Sequence, residues 1–104
     1  MARRGGEIVT SERQYIILCG GSQGRAIVCG YVDSEPVSGE PVTLHDARMV
    51  LRWDAECGGL FGLAAGGPKG DTRMTPAVPQ VTDTDWQQWM ETTEDGGRGL
   101  RGWK

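Results

Sequence analysis

Few residues in this chain could do chemistry. One histidine, His45, stands beside Asp46, and three cysteines (Cys19, Cys29 and Cys57) are the only thiols. A cysteine nucleophile needs a thiol within reach of an imidazole. None of these cysteines has the local sequence of a cysteine-nucleophile family, and a cysteine in an apolar strand is ordinarily a small buried hydrophobe. Zinc sites are built on spacings such as C-x2-C, whereas these thiols stand ten and twenty-eight residues apart. The expectation is a protein with no catalytic residue, no metal site and no cofactor.

Two other patterns resemble sites and read better as structure. Gly20-Gly-Ser-Gln-Gly24 is glycine-rich but lacks the G-x-x-x-x-G-K-[ST] spacing of a phosphate loop, and the residues after it suggest a strand, not a helix N-terminus. The carboxylates Asp83, Asp85, Glu94 and Asp95 lack the alternating oxygen ligands and closing glutamate of a calcium loop. They read as a solvated, helix-capping acidic face.

His45 to Asp54 is the segment with positive chemical content. Arg48 and Arg52 are four apart, followed at once by Trp53. In a strand two residues four apart share a face, and in a helix they are i, i+4 neighbours, so either conformation is expected to bring two guanidinium groups to one patch. Two arginine forks beside an indole can clamp an anion and stack a planar ring, with His45 at the margin. The competing reading pairs the arginines with Asp46 or Asp54 and buries Trp53 in the core.

The elements that must position these residues belong to one modest domain. The chain has 104 residues, with one Phe, two Tyr, four Trp and 17 Gly. So small a core leads us to expect a homo-oligomer. The formal charge is −3, and residues 53–104 hold eight acidic and five basic side chains. Without a dense basic face, direct nucleic-acid binding is not expected. The basic N-terminus leads into no apolar h-region and no apolar run could span a bilayer, so neither a signal peptide nor membrane association is expected. An odd number of cysteines argues against a disulfide framework and for a reducing cytoplasm.

Along the chain, residues 1–13 read as a flexible lead-in and 14–104 as a single globular domain. Tyr15–Cys19 and Arg25–Val32 are predicted strands joined by the Gly20–Gly24 turn. Residues 33–41 are full of breakers, and Pro41–Leu44 restarts a strand, completing a three-stranded meander. His45–Asp54 can continue that strand after a bulge or turn as a short helix; Met49-Val-Leu51 between arginines favours the strand. Cys57–Ala65 has helical spacing, ended by Gly66-Gly67-Pro68. Lys69–Pro76 reads as a polar loop, and Ala77–Val81 as an extended edge around Pro79. Trp86–Glu91 is ambiguous between a helix with a capping box at Thr84 and a strand. Thr92-Thr-Glu-Asp starts a last helix, which its glycines should leave short or frayed. The fold class expected is α+β and β-rich: a small antiparallel sheet or SH3-like half-barrel with one or two short helices.

Val42-x-Leu44-x-x-Ala47-Arg48, Leu51-x-Trp53, the small residues after them and Leu60-x-x-Leu63-Ala64 together resemble a family of short tailed-bacteriophage proteins with no established activity. In that family an N-terminal hairpin leads to an Asn-Ala-Arg-Arg segment ending in Trp, then a Leu-rich helical turn and a Thr-Glu start. The resemblance spans most of residues 14–103. It departs at Asp46, where the family has Asn, and at Met49-Val50, where it has Arg or bulky apolar residues. It implies a phage accessory protein acting in the host bacterial cytoplasm.

Two functions follow as expectations. The first is a non-enzymatic counter-defence protein that sequesters a small anionic, nucleotide-like host ligand on Arg48, Arg52, Trp53 and His45. The alternative is a protein–protein inhibitor of a host defence complex, anti-CRISPR-like, docking through Asp83, Asp85, Trp86, Trp89, Glu94 and Asp95.

Overall fold

β1 (Gln14–Gly20) and β2 (Ile27–Val32) pair antiparallel from Gln14↔Val32 to Cys19↔Ile27. They are apolar on both faces because both faces are covered. The computed structural model describes residues 13–20 and 26–104. The expected lead-in, apart from Arg13, and the Gly20–Gly24 turn, apart from Gly20, lie outside the described residues.

β3 (Val42–Arg52) is the longest strand and completes the meander. One residue sets its character: Asp46 takes a left-handed backbone, φ 51°. Between Tyr31↔His45 and Cys29↔Arg48 the register with β2 advances two residues on β2 and three on β3, which is a bulge. The bulge exchanges the parity of the strand. Before it, the even residues Val42 and Leu44 enter the core on one face; after it, the odd residue Ala47 does, while Val50 joins the core on the other. The bulged-strand reading of His45–Asp54 is the one found.

Beyond β3 the sheet is extended by β4 (Arg73–Met74) and β5 (Val78–Asp83), and beyond β1 by β6 (Trp86–Glu91). Six antiparallel strands and two α-helices make the α+β, β-rich fold expected from the sequence. Trp86–Glu91 is thus a strand, not a helix, and the Lys69–Pro76 loop is corrected by the two-residue β4 within it. Pro79 does lie in an edge strand, where a missing N–H costs no ladder bond. β5 and β6 border opposite edges of the sheet, yet only Thr84 and Asp85 separate them. Three peptide units reach at most about 11 Å, so the sheet must curl until its edges approach.

The curl creates two cores. Inside it lie Ile16, Leu18, Val28, Val32, Val42, Leu44 and Ala47, with Trp86 and Trp89 packed against them. On the other face Tyr15, Ile17, Cys29 and Val50 meet Leu63 and Ala64 of α1 (Gly59–Gly66) and Leu100 of α2 (Glu94–Gly102).

α2 begins at Thr93, whose hydroxyl oxygen accepts the Gly96 N–H at 2.9 Å while its own hydrogen goes to the Ala65 carbonyl at 2.6 Å. Its glycines do more than weaken it. A Cβ at Gly96 would overlap the Ala64 carbonyl oxygen, so glycine there lets the two helices touch backbone to backbone. The last helix is short, as expected, at nine residues, and that contact pins it.

Candidate functional site

The bulge decides the fate of the two arginines. Arg48 is only 8% exposed. Its Nε donates to the Thr75 carbonyl at 2.8 Å, and its Nη1 donates to the Leu100 and Arg101 carbonyls at 2.7 and 3.2 Å. The last two belong to the final turn of α2, whose carbonyls have no intrahelical partner and carry the negative end of the helix dipole. Arg48 therefore ties β3 to α2 and is not available to a ligand. This corrects its expected role.

Arg52 is exposed and pairs with the Asp71 carboxylate. Arg73 is the cross-strand partner of Arg52, and its guanidinium lies 4.0 Å from the same carboxylate. Two guanidinium groups thus do meet at one carboxylate, but the second comes from β4, and Trp53 follows Arg52 in sequence. Trp53 is 37% exposed, neither buried nor free. His45 lies elsewhere: its Nε2 is 3.3 Å from Asp33, whose other oxygen accepts from Arg13 at 2.8 Å. Four expected ligand residues therefore resolve into one structural residue, two exposed neighbours in sequence, Arg52 and Trp53, and one at a separate surface.

Asp54 holds the turn behind Arg52. Its carboxylate accepts the backbone N–H groups of Glu56 and Asp71 at 2.9 and 3.0 Å, and these bonds hold its carboxyl below the usual carboxylate range. Nearby, Cys57 accepts the Lys69 N–H at 3.2 Å and lies 3.2 Å from the Thr72 hydroxyl. These contacts fix residues 69–73 against 54–57 and so place Asp71 and Arg73. The sequence gives little warning of Arg73, because a two-residue strand is too short to show a period.

The same strand presents apolar side chains. After the bulge Met49 and Leu51 alternate outward, 38% and 60% exposed. Val78, the cross-strand partner of Ala47, is also exposed.

The alternative acidic and tryptophan surface is not assembled. Trp86 and Trp89 pack on the inner core, and the Trp86 indole donates to the Glu40 carbonyl at 2.6 Å. Asp83 accepts the Asp85 N–H at one end of β6. Glu94 and Asp95 sit past its other end in the first turn of α2, paired with Arg98. Roughly 17 Å of extended chain separates the two acidic pairs.

Burial raises the Cys19 and Cys29 thiols, which keeps them protonated. No hydrogen bond among the described residues joins a cysteine to His45. Among those residues no group of three or more His, Cys, Asp or Glu could hold a metal ion, and no helix is long and apolar enough to cross a membrane.

The family described as a domain of unknown function, DUF6948, matches residues 13–98, and the chain belongs to it. No curated protein and no solved structure matches.

Proposed function

We propose that this member of the DUF6948 family is a non-enzymatic binding protein that takes a small anionic, nucleotide-like ligand on Arg52, Arg73 and Trp53. The observation that carries the reading is the sharing of one carboxylate, Asp71, by two exposed cross-strand arginines. Asp54 also lies close enough to Arg52 to feel its charge, so the two arginines are matched by two carboxylates, and the β3–β4 register sets the arginines opposite each other. Guanidinium forks suit phosphate oxygens, and an adjacent indole suits a base. Taken with the phage resemblance, the role we propose is counter-defence by sequestration in the host bacterial cytoplasm.

ATP, followed by amide chemical shifts, is the probe. Shifts centred on residues 51–54 and 71–74 are expected, with the Arg52→Ala/Arg73→Ala double variant binding at least about tenfold more weakly, since charge-assisted hydrogen bonds contribute on the order of 1.5–3 kcal/mol each. Inorganic phosphate should bind more weakly than ATP, because it cannot stack. No ATP binding by the wild type, or equal binding by the double variant, refutes the reading.

A further inference from the structure

We infer that Trp103 is a latch on the proposed site, an inference that rests on the ligand reading: its indole seats the peptide unit that carries Arg73, and its release loosens the Arg52–Asp71–Arg73 row. Asp71 and Arg73 flank Thr72 in sequence, and Thr72 is buried, at 6% exposed. A buried polar residue needs a partner for each of its groups. The Thr72 N–H and hydroxyl both donate to the Lys69 carbonyl, at 3.3 and 2.6 Å, and the hydroxyl oxygen accepts the Asp54 N–H at 3.1 Å. The remaining group, the Thr72 carbonyl, accepts the Trp103 indole N–H at 2.8 Å. Of these four bonds it alone reaches outside residues 54–72. β4 itself pairs with β3 at Val50↔Met74 and Arg52↔Arg73, with an irregularity between them, and so short a ladder holds its turn weakly.

The carbonyl oxygen of Thr72 and the backbone nitrogen of Arg73 belong to one planar peptide unit. A donor fixed on that oxygen therefore fixes the direction in which the chain enters Arg73. The donor is itself held. Trp103 caps the C-terminus of α2 in extended backbone, φ −68° and ψ 138°, and the Leu100 and Arg101 carbonyls just before it are bound by Arg48. The path thus runs from β3 through Arg48 to the last turn of α2, and through Trp103 to the turn that bears Arg73. Trp103 is half-buried and lies beyond the last residue of the helix, so it can detach without unfolding α2. Docking of Trp103 and a ligand on Arg52 and Arg73 favour the same seated peptide, and two events that favour one state strengthen each other equally.

Hydrogen exchange of the ligand-free protein, followed residue by residue by NMR, tests the latch without ATP. In Trp103→Phe, which keeps an aromatic ring but loses the N–H, the Asp54, Asp71 and Thr72 amides should exchange about three- to tenfold faster, the range set by the net contribution of one hydrogen bond. The Ile16–Leu18 amides of β1 should be unchanged, since local opening leaves the sheet intact. With ATP, Trp103→Phe should bind more weakly by a similar factor, and in the wild type ATP should slow exchange of the Trp103 indole N–H. Unchanged exchange at Asp54, Asp71 and Thr72 overturns the inference. So does an equal acceleration at Ile16–Leu18, which would make Trp103 a general support of the fold, or an ATP affinity equal to that of a wild type that binds. A wild type that binds no ATP refutes the ligand reading instead, and exchange at Asp71 and Thr72 still decides whether Trp103 seats the β4 turn.

Discussion

The two halves of β3 are built from the same kinds of residue and do different work. From Val42 to Ala47 the strand has β5 on one side, and its inward side chains Val42, Leu44 and Ala47 are buried. From Met49 to Arg52 it has only the two-residue β4 on that side, and Met49, Leu51 and Arg52 face solvent. The bulge at Asp46 lies just before the boundary between the two halves. The curl closes over the first half and not over the second. What the difference teaches is that burial in this fold follows what lies over each face of the sheet, not the polarity of the residue. Arg48 is buried and Leu51 exposed because α2 presents carbonyls on one face while nothing described covers the other.

Truncation should separate the halves. Leu44→Ala empties a fully buried position and is expected to cost about 3 kcal/mol, within the range of buried leucines. Met49→Ala should cost under about 1 kcal/mol, because its side chain already meets water. Urea denaturation of both variants measures this, and equal losses would erase the distinction.

A smaller effect should appear in acid. The Asp54 carboxyl is held below its ordinary value by two backbone N–H groups, so its contribution to stability is complete above the unfolded value and lost as pH falls through the lower folded one. The window lies below about pH 4. Between about pH 4 and 2, Asp54→Asn should flatten the fall in urea midpoint. A slope identical to the wild type would mean that these hydrogen bonds are not coupled to folding.

Much of the fold was legible because its signals are local. The apolar β-branched runs of β1 and β2, the Thr93 cap and the breaker-rich segment 33–41 each announce themselves within a few residues. Trp86–Glu91 was ambiguous because its tryptophans at i and i+3 fit a helical face, while pairing with β1, a long-range contact, makes it a strand. The site was half legible. Arg52 and Trp53 were named, but the partner of Arg52 comes from β4, 21 residues further on, and enters only through the β3–β4 pairing. Arg48 was misread because its partners are carbonyls at positions 75, 100 and 101, and backbone acceptors leave no trace in side-chain identity.

The most direct test sets the two arginines of β3 side by side. Arg48→Ala and Arg52→Ala should be unfolded in urea under identical conditions. Arg48→Ala is expected to lose on the order of 3 kcal/mol, since it removes a buried cation and leaves three carbonyls without their donor. Arg52→Ala, the loss of an exposed ion pair, should stay within about 1 kcal/mol of the wild type. Equal losses, or a larger loss at Arg52, would contradict the reading of Arg48 as a buried tie to α2 and Arg52 as an open surface residue.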